Sequence, residues 1–419
     1  MKKHFIMALA LLSTVTASSQ EKEESKFGVK FSGFVKNDFF WDTRQTISAR
    51  EGHFLLWPTP VNLDENGEDI YKKASFNFLA IQSRLSAKLT GPDALGAKTS
   101  GLIEGDFFAQ ANVNTNLFRL RHAFVKLNWD HTEVMAGQYW NPLFVTSCFP
   151  GTVSFNTGTP LQSFARNPQV RVTYKTNGFS LLAAALGQRD YSSVGPLGAS
   201  SHYLRNSAVP EMQVQVHYET SNEDGMNIVA GAGAAYKTIV PRLSSSPVEG
   251  VTYKVDEKVG GLTAMAFSKL TTKPITAKLQ VRYGENIADL LGISGFAATG
   301  ITDVTTGERS YAPLKSMTFW AEVHSNGNPQ VGIFGGLTSN NGINETILTT
   351  VPVYGRGTTI RRLYRIAPRI IYNMGKLRLA AEVEYTSAAY GDNYDEFYIP
   401  ADLTLATNLR VLTAVYYFF

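Results

Sequence analysis

Residues 408–419 read NLRVLTAVYYFF, and their alternation decides between fold classes. Leu409, Val411, Val415, Tyr417 and Phe419 fall on one face of an extended chain, and Asn408, Arg410 and Ala414 on the other. That is the two-residue period of a strand with one apolar side. Termini are usually polar and frayed, so a stretch finishing on two phenylalanines needs an apolar environment of its own.

The same alternation recurs outward from this stretch. In IQSRLSAKL (81–89), Ile81, Leu85, Ala87 and Leu89 oppose Gln82, Arg84, Ser86 and Lys88. QVRVTYKT (169–176), EMQVQVHYE (211–219), ITAKLQVRYGEN (275–286) and KLRLAAEVEYT (376–386) repeat it. A soluble β-sandwich alternates as well, so the connections have to discriminate. Strands are expected near residues 27–42, 75–89, 98–111, 117–128, 133–140, 169–175, 179–187, 211–219, 226–238, 253–269, 275–284, 314–324, 330–337, 359–372, 376–386 and 406–419. Links after even-numbered strands are turn-like (WDHT, TNG, TTKP, SNGNP, NMG). Those after odd-numbered strands are mostly long, at 43–74, 141–168, 188–210, 285–313, 338–358 and 387–405, with 112–116 the exception. Short turns at one end and long loops at the other describe a transmembrane β-barrel of about sixteen antiparallel strands. Twenty-two strands would leave almost no loops, and eight would need implausibly long ones.

Composition agrees. Charged residues make up 18% of the chain and aromatics 12%, with 39 Lys and Arg against 35 Asp and Glu. So weak a net charge, without a basic block, argues against nucleic acid as a partner. The first residues, MKKHFIMALALLSTVTASSQ, read as a signal peptide over 1–19, with two lysines, an apolar run and a small-residue cleavage site. Residues 20–26 follow as a short periplasmic segment, and 27–419 form the barrel. Beyond the leader no stretch approaches the ~18 apolar residues of a membrane helix. A closed barrel escapes that requirement, because its backbone groups pair between strands.

These features resemble a Gram-negative outer-membrane porin. More narrowly, FRLRHAFVKLNW (118–129), VMAGQYWNPLF (134–144) and RNPQVRVTY (166–174) look like the DcaP-like and phosphate-selective porin group, and the Ser-Ser-Gln cleavage region is similar to Bacteroidota exports. An even strand number with the short turns on the periplasmic side puts both termini there. The resemblance implies a homotrimer, contact with outer-membrane lipid and lipopolysaccharide, and recognition of Phe419 by the barrel-assembly machinery. It also implies that loop 141–168 bends inward and narrows the channel; a loop packing on its surface neighbours is the plainer alternative.

A barrel of this size has a polar interior, so function should reside in inward charges. The register points Arg84, Lys88, Arg171, Lys278, Arg282, Arg365, Arg369, Arg378 and Arg410 inward, with Arg361 joining Arg365 and Arg369 if no bulge intervenes; Pro368 warns of one. Arg119 and Arg121 face inward only if His122 and Lys126 face outward. Arg166, at the end of the long loop, joins this pore-lining set. Inward acids are Glu104, Asp106, Glu211, Glu219, Glu322, Glu382 and Glu384. Arginines along a pore favour anions, although any wet interior also needs charges that pair with one another. Trp41, Trp129, Tyr139, Trp140, Tyr372, Tyr417 and Phe419 suit interfacial aromatic girdles.

Signals for an enzyme are thin: scattered histidines, no metal-ligand spacing, and a lone Cys148 with no base nearby in the sequence. GAGAAY (231–236) sits in an alternating strand and cannot open a dinucleotide site. The expectation is therefore passive diffusion of small polar, chiefly anionic, solutes without catalytic residue, cofactor or metal. A non-conducting barrel that displays its loops as an adhesin or receptor, and a barrel enzyme with its site at the mouth, are the other classes left open.

Overall fold

The computed structural model describes residues 27–346 and 352–419; the expected leader and the segment 20–26 lie outside them. Sixteen strands run antiparallel to their neighbours and close into a barrel. They are β1 Gly28–Asp42, β2 in two pieces (Ser75–Leu79 and Arg84–Thr90), β3 Lys98–Asp106, β4 Arg119–Asn128, β5 Thr132–Trp140, β6 Arg166–Thr176, β7 Phe179–Leu186 and β8 Glu211–Ser221. The second half comprises β9 Asn227–Ile239, β10 Val259–Thr271, β11 Ile275–Glu285, β12 Lys315–Ser325, β13 Gln330–Asn340, β14 Ile360–Met374, β15 Leu377–Tyr394 and β16 Pro400–Phe418. Closure is made by β1 against β16, in register from Phe34 opposite Phe418 to Asp42 opposite Arg410. Gly33 and Phe419 exchange backbone hydrogen bonds of 3.1 and 3.2 Å at the end of that seam.

The wall is inside-out relative to a soluble protein. On β1, Val35, Phe39 and Trp41 are exposed while Lys36, Asp38 and Asp42 are buried. On β8 the exposed set is Met212, Val214 and Val216, and the buried set Glu211, Gln213 and Gln215. An apolar exterior around a polar interior is what a lipid-embedded sheet requires. Trp41, Trp129, Tyr372, Tyr417 and Phe419 are exposed outside. Tyr139 and Trp140 depart from the girdle expectation: Tyr139 packs edge-on against Phe124, and Trp140 stacks on Phe144 at 3.9 Å, because the loop after β5 turns inward and takes them with it.

Three irregularities shift what faces inside. β2 is broken at 80–83, so Ile81, expected on the outer face with Leu85, is buried, and Ser83 Oγ accepts the Lys36 N–H at 3.0 Å. A β-bulge lies between β3 and β4, where Glu104 pairs with His122 but Gly105 pairs with Leu120. The extra residue re-phases β4, so Arg119, Arg121 and His122 are all buried inside and Lys126 ion-pairs with Glu133 at 2.8 Å. The choice posed by the sequence between Arg119 with Arg121 and His122 with Lys126 does not arise.

The third irregularity corrects a candidate. A register shift between Ile360 and Arg362 turns Arg361 away from the face of Arg365 and Arg369. Arg361 instead donates to the Asn340 carbonyl and borders an outer groove with Leu337, Tyr364 and Leu405. Pro368 sits outward, in regular register opposite Ile333, and causes no bulge.

Loop lengths differ from expectation most clearly after β3, β9 and β15. β15 and β16 run on to Tyr394 and from Pro400, so the last long-side connection shrinks to 395–399, whereas the link after β3 lengthens to 107–118. Residues 253–254 belong to a separate hairpin, Ser244–Val248 with Val251–Lys254, and not to β10.

Candidate functional site

The interior is crossed by loop 141–165. Its neck is closed by the Asn141 N–H donating to the Ala165 carbonyl at 2.9 Å, and the Asn141 side chain both accepts from Leu143 N at 2.9 Å and donates to Asn167 at 3.1 Å. Once inside, the loop buries Phe144, Val145, Cys148, Val153, Phe155, Leu161 and Phe164. A second insertion comes from loop 43–74, whose hairpin Thr46–Ala49 with Phe54–Pro58 buries all five residues of its second arm. Phe54 meets Phe155 and Phe164 edge-on at 5.4 and 5.1 Å, so the two loops share one apolar core inside a polar barrel.

Wall charges hold this assembly by its backbone. Carboxylates take N–H groups: Glu322 from Gly151, and Glu382 from Val153 and Ser154 at 2.7 and 3.1 Å, while Glu384 accepts the Asn156 amide at 2.8 Å. Cations take carbonyls: Lys36 that of Val153 at 3.0 Å, Lys278 that of Phe149 at 3.0 Å, and Arg365 those of Thr159 at 2.6 Å and Leu56 at 2.8 Å. Arg282 donates to Ser163 Oγ, Pro160 O and Thr318 Oγ1, neutral acceptors all. Arg369 pairs with Glu322 at 2.8 Å, and a Cβ added to Gly151 would stand 2.8 Å from its Nη2. The tip of the loop is thus bare backbone pressed on an ion pair. Arg410 pairs with Asp42 at 2.6 Å and donates to Gly52 O at 2.8 Å, which anchors the hairpin.

The other candidates lie on β2 to β6 and, for Arg378, on β15. Arg119 pairs with Asp106 at 2.8 Å, Arg121 with Glu104 and Asp106 at 2.8 and 2.9 Å, Arg84 with Glu104 at 3.7 Å, and Arg166 with Asp190 at 2.7 Å. Asp190 comes from loop 187–210. Burial pushes its carboxyl up, and Arg166 and Arg119 outweigh that and hold it below the ordinary range. Arg171 donates to Gln169 and to the Trp140 carbonyl, and Arg378 to Asn373 at 2.7 Å while lying over the Tyr416 ring at 5.6 Å. Lys88, exposed near the short-turn end, stands opposite Lys30 in register.

Sequence reasoning passed over Lys36, Asp38, Asp42 and His53. The first three carry the same alternating signal as the other strands, set against Val35, Phe39 and Trp41. His53 carried no local signal; it lies in a loop and reaches Asp38 at 2.9 Å only through the fold. Burial holds its imidazole below the usual value despite that carboxylate. Among the described residues no group of three or more His, Cys, Asp or Glu is placed to hold a metal ion.

Between the loop and the wall a cavity of about 350 Å³ stays open. Its charged lining residues are Arg84, Arg121 and Arg378; no Asp or Glu borders it. Arg84 and Arg121 keep their partners Glu104 and Asp106 behind the lining, and Arg378 has no carboxylate partner among the described residues, so the surface that meets the cavity is cationic.

No family model matches the chain, and no curated protein matches it. Solved structures do. The outer membrane channel DcaP of Acinetobacter baumannii is similar at 16% identity over 95% of this chain and 99% of that one, with a TM-score of 0.66. The anion-selective porin from Comamonas acidovorans is similar at 11% identity over 94% and 100%, TM-score 0.53. A trimer form of OmpT, an outer membrane protein of Vibrio cholerae, aligns at 10% identity over 94% and 99%, TM-score 0.54. The chain has the porin fold. At such identities the likeness speaks for architecture alone.

Proposed function

We propose that this chain is an outer-membrane porin through which small polar solutes diffuse passively, with anions preferred. The observation that carries the reading is the open interior cavity bordered by Arg84, Arg121 and Arg378 and by no carboxylate. Dissolved anions gain from such a wall and cations are repelled by it. In this reading loop 141–165 is the constriction, the long loops are extracellular, and the buried Arg282, Arg365 and Arg369 act mainly by fixing the loop that sets the bore. Export through the leader 1–19, a trimeric state, outer-membrane lipid and lipopolysaccharide around the barrel, recognition of Phe419 during assembly and a place in the DcaP-like group belong to the same proposal. The fold shared with the DcaP channel and the anion-selective porin supports it.

Reconstitution in planar bilayers tests the reading. Ohmic openings with a reversal potential displaced toward the anion in a potassium chloride gradient are expected. A silent barrel, or one that prefers potassium, would overturn it, and silence would leave a loop-displaying receptor in its place.

A further inference from the structure

The charges of the interior cavity account for a sign preference, but not for the rest of its wall. Trp140, Phe144, Phe149, Phe155, Phe164 and Tyr416 all border it. Phe144, Phe155 and Phe164 are buried in the loop's core and are explained by packing. Trp140, Phe149 and Tyr416 are only half-buried, so part of each ring is left facing the open space. A small hydrated inorganic anion gains nothing from these rings and loses hydration beside them. Aromatic faces next to guanidiniums match a different solute, one with a flat apolar body and a single negative head.

The geometry points to a binding subsite for aromatic monocarboxylates within the channel, with Arg121 and Arg378 receiving the carboxylate and Trp140, Phe149 and Tyr416 receiving the ring. This rests on the anion-channel reading above and narrows it to a solute class. Arg121 commits Nε and Nη1 to Glu104 and Asp106, and Arg378 commits Nε to Asn373. Their remaining Nη donors have no hydrogen-bond acceptor among the described residues. Arg121 also stands 5.8 Å over Trp140, and Arg378 lies 5.6 Å over Tyr416 and 5.1 Å over Phe418, so each guanidinium has a cavity-lining ring beside it. The volume, about 350 Å³, lies at the lower end of the ~300–1,000 Å³ typical of small-molecule sites.

Benzoate and acetate carry the same head and differ in the ring, so they separate this inference from the one beneath it. In single-channel recordings with potassium chloride as carrier, added benzoate is expected to produce resolved interruptions whose residence is about tenfold longer than any caused by acetate. Phe149→Leu and Trp140→Leu should shorten the benzoate interruptions severalfold, in protein whose heat-modifiable migration on gels shows a folded barrel. If the channel is anion-selective but treats benzoate like acetate, the aromatic subsite is overturned and the porin stands. If benzoate residence is unchanged in both variants, the subsite lies elsewhere and the assignment to these rings falls. If no anion preference exists, both readings fail together.

Discussion

The guanidinium of Arg365 donates to the carbonyl of Thr159 at 2.6 Å, which joins a wall strand to the middle of the interior loop across 206 positions of sequence. The same side chain pairs with Glu384 at 3.3 Å and holds Leu56 of the other inserted loop. One fully buried arginine is therefore the common fastener of two loops.

Replacing it should loosen the bore before it alters selectivity. Arg365→Met leaves Glu384 without its cationic partner and two carbonyls without donors, a loss of about 3 kcal/mol by comparison with other broken buried pairs. A lower unfolding temperature in detergent, with larger and noisier single-channel currents, is the expected outcome. A quiet channel of parental conductance would show that the loop does not depend on this contact.

Charge reversal at two arginines of neighbouring strands should give opposite answers. Arg378→Glu puts a carboxylate on a cavity that now has none and should lower the anion-to-cation permeability ratio severalfold in reversal-potential measurements. Arg361→Glu should leave that ratio alone, because the register shift before Arg362 places Arg361 on the outer surface. A shift of equal size in both variants would contradict the register described here.

Cys148 should be inert while the barrel is folded. Burial pushes its thiol up to about 11, and Sγ donates to the Ser268 carbonyl at 3.4 Å. The folded-state value is raised, so the thiolate is scarce below it: on the order of one thiol in a thousand at pH 8. Alkylation by iodoacetamide at that pH is expected to be negligible in the folded protein and to go to completion after denaturation. Rapid labelling of the folded protein would mean that the loop opens readily.

Glu257 should act as the latch of the long-loop surface. It accepts from Arg242 at 2.6 Å, from Arg309 N at 2.8 Å and from Tyr311 OH at 2.8 Å, and so ties the hairpin of residues 244–254 to strand Glu308–Pro313. Glu257→Ala leaves all three donors without their acceptor, at a local cost of about 2 kcal/mol. Faster limited proteolysis within 240–258, with the barrel itself resistant, is the outcome to look for.

How much of this was legible follows from period and distance. Strands such as β8 and β11 announce themselves because each side chain is fixed to a face by parity alone, and turns such as TNG and NMG carry their own conformational chemistry. Parity is lost wherever one residue is added or skipped. Neither the bulge at Arg121 nor the shift at Arg361 has a sequence mark that distinguishes it from a regular strand, and the break in β2 reversed Ile81 for the same reason. FLLWP at 54–58 was hidden differently. Four consecutive apolar residues in a loop say only that they must be covered, and their cover, loop 141–165, lies about a hundred residues away. Parity can assign an arginine to a face, but the division between arginines that grip backbone and those that border open space depends on the course of two loops, which no local pattern encodes.

The bulge in β4 has a further consequence for how finely such a wall can be written. A regular strand delivers one inward side chain every ~6.8 Å, because alternate residues are spent on lipid. By adding one residue, β4 sends Arg121 and His122 inward in succession, both against Glu104. A single insertion thus doubles the density of interior lettering at one height of the barrel while the outer surface keeps its spacing, and a deletion there would erase it without disturbing the sheet on either side.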